Sequence, residues 1–249
     1  MAGGWLMKVR NMLQHFAEFP VAPLETIASG TSLILSPHPD DESLGCGGFI
    51  ASAVKDGHPP LVVIVSDGSA SHPGSVTWPP ARIARLRQEE SRDAAAVLGL
   101  PSERLLFLDT QDAAVPTQGD NFDAVIRHLT EMIGRYECQT VLVPWRYDPH
   151  CDHEAVWMMG QKLKALLPYL RLLSYPVWGL TLPPEMEIDE AAPAGWRLDI
   201  RPFLDRKRDA IEAHRSQRGM VVDDDPGGFV LPEHLLEKML QPYEIFIAS

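Results

Sequence analysis

The residues with the greatest chemical capacity lie together at His38-Pro39-Asp40-Asp41-Glu42, directly after the apolar run Leu33-Ile34-Leu35. An imidazole and a carboxylate three positions apart, on a turn stiffened by Pro37 and Pro39, can converge on one cation at little ordering cost. They need a third ligand from elsewhere. The segment Trp145 to Glu154, which contains His150-Cys151-Asp152-His153, follows the apolar run Thr140-Val141-Leu142-Val143-Pro144 and supplies it. His38, Asp41 and His153 then form a two-histidine, one-carboxylate set, the kind that leaves a zinc position open for water. Asp40 is adjacent to Asp41 and so points differently, which places it beside such a water instead of on the metal. His150, one helical turn before His153, falls on the opposite side of a bound substrate.

Positioning these groups requires strands that end where the motifs begin. Ser32 to Leu35 reads as a buried strand, the prolines stop it, and helical spacing resumes from Ser43 to Val54, with Gly57 as a stop. Leu61 to Val65, Leu105 to Leu108 and Thr140 to Pro144 are further strands, the first a β-branched run suited to burial on both faces of a parallel sheet. Helices are expected from about Pro80 to Leu98, over Asn121 to Tyr136, and from the second motif to about Leu167. This alternation predicts an α/β fold, a Rossmann-like doubly wound, mostly parallel sheet with helices on both faces. Open sheets of this kind place ligands at the carboxyl ends of their strands, where both motifs lie.

Beyond the second motif we expect a strand over Arg171 to Trp178, a surface excursion over Leu182 to Pro193 and a strand over Trp196 to Ile200. A charged helix over Arg201 to Arg218 should follow, then a turn at Asp223 to Gly228, a helix and a last strand within Pro232 to Ile247. Residues 5 to 18 suit a short amphipathic helix. The whole chain, 1–249, reads as one domain, with 1–29 an N-terminal extension and 219–249 a C-terminal extension that completes the fold.

Composition narrows the function. At 249 residues and 45% hydrophobic content the chain can bury a full core. A net charge of -12 leaves no basic surplus for phosphates, which argues against nucleic acid as a partner and favours a neutral or cationic small molecule. No apolar run approaches membrane-spanning length, and Met1 to Pro20 lacks the apolar core of a secretory signal, so no membrane partner is expected. The three cysteines, Cys46, Cys138 and Cys151, are scattered and odd in number, which suits a reducing, cytoplasmic setting. A homo-oligomer is compatible with this reading, although no heptad or apolar stripe marks an interface.

Asp40 and Asp41 alone could simply start a helix, because aspartate is a favoured cap; His150 and His153 at a second strand end make a metal site the stronger reading. Gly45-Cys46-Gly47-Gly48 comes too late after the strand, and with the wrong spacing, for a dinucleotide fingerprint; close helix-sheet packing explains it better.

At these residues the sequence resembles the PIG-L (LmbE-like) zinc-dependent de-N-acetylase family, whose hallmarks are His-Pro-Asp-Asp-Glu after the first strand and His-x-Asp-His after a later one. The resemblance covers about residues 30–218 and extends to Arg87 through Gly99 and to Lys207…His214-Arg215-Ser216-Gln217. It implies one zinc ion on His38, Asp41 and His153, with Fe2+ or another divalent transition metal as the alternative ion. It also implies Asp40 as general base and His150 as general acid or oxyanion stabiliser, a cationic His150 sharing the oxyanion with zinc. The implied reaction removes an N-acetyl or other N-acyl group from a small amino sugar or glycoside, such as an N-acetylglucosamine derivative, giving acetate and a free amine.

One departure bears on substrate. Relatives carry a substrate-holding arginine in the loop after the second strand, where this chain has Ser71-His72-Pro73-Gly74-Ser75, so His72 or Arg85 is expected to replace it. Asp112 resembles the family's sugar-hydroxyl-binding aspartate, and Asp152 and His214 are expected beside the ligands or substrate. Two alternatives stay open: a metal-dependent amidase on another substrate, such as a thiol-sugar conjugate, and a non-catalytic metal- or sugar-binding protein on the same scaffold.

Overall fold

The computed structural model describes residues 6–249. The chain opens with β1 (Leu6–Lys8), α1 (Val9–Ala17) and a single turn, α2 (Leu24–Ile27). Then β2 (Thr31–Ser36), α3 (Asp41–Lys55), β3 (Leu61–Ser66), α4 (Pro80–Leu98), β4 (Leu105–Thr110), α5 (Gly119–Tyr136), β5 (Cys138–Pro144), α6 (Cys151–Leu166) and β6 (Arg171–Tyr175) alternate. β7 (Glu187–Asp189), β8 (Gly195–Asp199), α7 (Leu204–Ala213), α8 (Glu233–Met239) and β9 (Tyr243–Ala248) complete it.

The main sheet has seven strands in the order β4-β3-β2-β5-β6-β9-β8. β4 through β6 are parallel, as the alternation predicts, and β9 runs antiparallel to both of its neighbours. From β2 the chain winds outward through β3 to β4, then returns to β5 on the other side. The point of reversal lies between β2 and β5, which pair directly, and this is where open sheets leave a crevice. The two motifs are distant in sequence but leave adjacent strand ends.

Side chains of β2 alternate between two cores. Ile34 packs with Phe49, Ile50, Ala94 and Ala210 from α3, α4 and α7; Leu33 and Leu35 pack with Phe122, Leu129, Val156 and Met159 from α5 and α6. Helices therefore cover both faces. α3 sits unusually close to its neighbours, because a Cβ on Gly45 would come within 2.3 Å of the Tyr175 ring and one on Gly48 within 2.4 Å of Ile200. Close packing is thus the reason for the glycine run, as the sequence suggested.

Three expected elements differ. The helix read over 5–18 is instead β1 followed by α1, with residue 5 outside the described residues, and β1 pairs with β7 in a separate two-stranded sheet. The strand read to Trp178 stops at Tyr175, because the amides of Val177, Trp178 and Gly179 turn onto the Asp148 carboxylate instead of a ladder. The helix read to Arg218 ends at Ala213, where the Ser216 amide leaves helical pairing and donates to Glu90 of α4 at 2.7 Å. Among the described residues no helix is long and apolar enough to cross a membrane.

Candidate active site

Pro37 to Asp40 carries the chain from β2 into α3, whose first turn contains Asp41 and Glu42. Asp40 occupies the N-cap position with φ +139°, a conformation that L residues avoid and that surrounding contacts must enforce. Glu42 supplies one such contact by accepting the Asp40 amide at 3.1 Å; Arg87 supplies another, donating to Pro39 O at 2.6 Å and Asp40 Oδ2 at 3.2 Å. The strain is stored under a carboxylate that lines a cavity of about 630 Å³.

Asp41 Oδ2 lies 3.1 Å from His38 Nδ1 and 3.1 Å from His153 Nε2. The far nitrogen of each ring is anchored by a second carboxylate: His153 Nδ1 by Asp148 at 3.1 Å, His38 Nε2 by Asp152 at 3.2 Å. Backbone amides of Ala113 and Val115 fix Asp152 in turn. Histidines that hold metals characteristically have their other nitrogen tied in this way. His153 Nε2 is buried and lies 3.1 Å from Asp41 Oδ2, its nearest polar neighbour, so it would be free to coordinate a cation once its proton is lost. One atom from each of His38, Asp41 and His153 falls within 4.8 Å of the others, and this donor set fits a divalent transition metal.

Electrostatics agree with that fit. Burial disfavours a charged His153, but Asp41 and Asp148 outweigh it and push the ring up to about 9; His38 is raised likewise by Asp112, Asp152 and Asp41. These carboxylates hold the Asp41 carboxyl's neighbours as cations in the metal-free protein, and a metal would take the protons' place. Asp41 itself is held well below the carboxylate range, against burial, by the His153 and His38 charges. Burial pushes Asp40 up to about 7 against the pull of Arg87.

The expected site residues divide as follows. His38, Asp40, Asp41, Asp112 and His150 line the cavity, and His153 lies beneath it. Asp112 accepts from the Ala70 amide at 2.9 Å and approaches His38 Nε2 at 3.4 Å; the histidine holds its carboxyl down to about 2 despite burial. His150 Nδ1 accepts from the Asp152 amide at 3.1 Å, which leaves Nε2 as the nitrogen that carries the ring proton. A cationic ring would set Nδ1–H against that amide, and burial together with His38 and His153 also lowers its pKa. In the metal-free protein this geometry favours a neutral His150, where the sequence led us to expect a cationic one.

Neither expected substitute for the loop arginine faces the cavity. Arg85 is exposed on α4, and the buried His72 ring tucks beneath Gly228, whose added Cβ would meet it at 2.3 Å. Arg87, on the buried face of α4, is the arginine that lines the cavity. His214 is buried behind the first motif, where Nε2 lies 3.3 Å from Glu42 and 3.2 Å from Ser43, so it supports Glu42 and does not line the cavity.

Sequence reasoning did not anticipate Asp148, or the segment Gly227 to Leu231 as a cavity wall. That wall is pinned to the loop after β3 by Asp225 on the Gly74 amide, Asp224 on the Val76 and Thr77 amides, and Phe229 N on Ser71 O. The available signal was the run Asp223-Asp224-Asp225 before glycines, since aspartates commonly collect loop amides.

Fold and site together define a chain with a candidate metal centre at the switch point of a doubly wound sheet. It belongs to the PIG-L family, whose model, described as GlcNAc-PI de-N-acetylase, matches residues 33–163. It is 28% identical over 140 residues to the 2'-N-acetylparomamine deacetylase of Streptomyces fradiae, a match covering 52% of this chain and 50% of that one. The chain thus spans about half the length of that curated relative. In fold it is similar to N,N'-diacetylchitobiose deacetylase from Pyrococcus horikoshii, at TM-score 0.67 and 20% identity over 95% of this chain and 89% of that one. It is also similar to the 4-carboxy-2-hydroxymuconate hydratase of Pseudomonas putida, at TM-score 0.59 and 24% identity over 84% and 82%. The second likeness shows that this fold serves more than one reaction, so the chemistry must be argued from the side chains.

Proposed function

We propose that this protein is a metal-dependent hydrolase, with zinc as the expected ion, that removes an N-acetyl or related N-acyl group from a small amino-sugar-containing molecule. The observation that carries the reading is the convergence of His38 Nδ1 and His153 Nε2 on Asp41 Oδ2, each at 3.1 Å, beside a strained Asp40 that lines the cavity. When bound to His38, Asp41 and His153, the metal supplies Lewis acidity, acidifying a water and polarising an amide carbonyl.

The remaining chemistry belongs to the chain. Arg87 occupies Asp40 Oδ2, which leaves Oδ1 to take the proton of the attacking water. Burial raises the Asp40 pKa and Arg87 opposes it, leaving the group at about 7, where its carboxylate is poised to accept a proton near neutral pH. The neutral His150, its proton on Nε2, donates to the oxyanion that develops on the amide; this supports the oxyanion-stabilising role of the two expected. Asp40 then returns its proton to the departing amine. The deacetylase names of the sequence and fold relatives support an acylated amino sugar as substrate.

The test is amine release from a panel of N-acylated amino sugars by metal-loaded protein, before and after treatment with a chelator. Turnover that disappears with the metal and returns on its replacement is expected. Metal-loaded protein that releases no amine from any member of the panel would overturn the reading.

A further inference from the structure

The residues that line the cavity fall into two chemical sets. Asp40, Asp41, Arg87 and His150 belong to the chemistry already described, whereas Leu44, Trp178, Phe229, Val230 and Leu231 are apolar and play no part in it. Trp178 and Phe229 are only partly buried and Val230 is 47% exposed, so the apolar set presents surface that a ligand can reach. Reachable apolar side chains gathered in a concave site are the usual seat of the apolar part of a ligand.

The fold holds that surface in place. Trp178 N donates to the Asp148 carboxylate that also anchors His153, which ties the tryptophan to the proposed metal ligand. Its ring meets Phe229 edge to face, with centroids 5.8 Å apart. Phe229 N donates to Ser71 O at 2.8 Å and Leu231 N to Gln217 O at 2.7 Å, so the backbone is fixed on both sides of Val230. The volume points the same way. Of about 630 Å³, one N-acetylated hexosamine takes no more than about 450 Å³, even at liquid water's roughly 30 Å³ for each non-hydrogen atom. Room remains for a further group, and the lining not committed to the reaction is apolar.

We propose that Trp178, Phe229 and Val230 form a subsite for an apolar substituent on the amino sugar, either an aglycone at the anomeric carbon or a longer N-acyl chain. The subsite makes the protein prefer such substrates to free N-acetylhexosamines. The inference rests on the reading of this site as an N-acyl amino-sugar hydrolase and deepens it. Covering these side chains releases water from them and leaves the reacting amide untouched, so the gain falls on KM and not on kcat.

The experiment measures kcat and KM for N-acetylglucosamine, its phenyl glycoside and N-hexanoylglucosamine with metal-loaded wild type, Phe229→Ala and Val230→Ser. In the wild type at least one of the two derivatives should exceed the parent in kcat/KM by about 10- to 100-fold, through a lower KM; whichever gains identifies the group that the subsite takes. That preference should fall by about fivefold or more in Phe229→Ala and by about two- to threefold in Val230→Ser. General damage to the site slows parent and derivative alike and keeps their ratio. Val230→Ser, at an exposed position, keeps the proposal testable if Phe229→Ala does not fold. Derivatives no better than the parent in the wild type, or a preference unchanged in the folded variants, would overturn the proposal. Absence of turnover on every substrate overturns the underlying reading, whereas turnover of the parent without the preference overturns this inference alone.

Discussion

The carboxylate of Asp148 joins His153 to the end of β6: Oδ2 lies 3.1 Å from His153 Nδ1, and the same group accepts the amides of Val177, Trp178 and Gly179. A proposed metal ligand is therefore oriented by the turn that also carries a cavity-wall tryptophan. Asp148→Asn should weaken metal affinity about 10- to 100-fold, because the imidazole loses its charged anchor. Titration against a competing chromogenic chelator measures this; wild-type affinity in the variant would contradict it.

Metal and protons compete for the same histidines. In the metal-free protein His153 is pushed up to about 9 by Asp41 and Asp148 despite burial, and His38 is raised as well. Metal uptake at neutral pH should therefore release protons, seen by calorimetry in buffers of different ionisation enthalpy, and affinity should fall as pH falls. A raised folded pKa adds stability that is complete below the unfolded value of 6.5 and disappears as pH rises through about 9. The Tm of the metal-free protein should accordingly decline from pH 6.5 to 9, and a flat profile would contradict the pairing.

Arg87 holds Asp40 in its φ +139° conformation through two hydrogen bonds, one to Pro39 O and one to the carboxylate. Arg87→Met leaves that buried carboxylate without its partner and should cost about 3–5 kcal/mol in denaturant unfolding. A misplaced base should lower kcat by about 100-fold while metal content stays at the wild-type level. Loss of metal together with activity would move Arg87 from orienting the base to assembling the metal centre.

Lys207 and Glu244 form a buried pair at 2.8 Å behind α3, and Glu244 also accepts the Gly48 and Phe49 amides. Glu244→Ala should destabilise the fold by about 3–5 kcal/mol, since it leaves a buried ammonium uncompensated; adding Lys207→Met should recover part of that loss. Urea unfolding of the single and double variants tests the coupling, and additive losses would disprove it.

The candidate metal triad was legible because its residues occupy two short motifs that directly follow apolar strands, and Pro37 and Pro39 mark the break. The alternation of apolar runs with helical spacing likewise announced the parallel strands and the helices on both faces. What escaped was set by tertiary contacts. Arg87 and Glu90 share the buried stripe of α4 with Ile83, Ala94 and Leu98, so charged residues on an apolar face were the available sign. Asp148 sits in a turn whose role depends on amides some thirty positions later. Ala213 ends α7 because Glu90, on another helix, takes the Ser216 amide, a competition no local propensity encodes. The antiparallel insertion of β9 between β6 and β8 is also a matter of long-range pairing.

The central claim separates binding of the metal from use of it, at residues that are neighbours in space. Metal content and amine release measured on the same samples of Asp40→Ala and His153→Ala test it most directly. The account predicts that Asp40→Ala retains its metal and loses turnover by about 10²–10⁴-fold, whereas His153→Ala loses both. Wild-type turnover in Asp40→Ala, or a full complement of metal in His153→Ala, would contradict it.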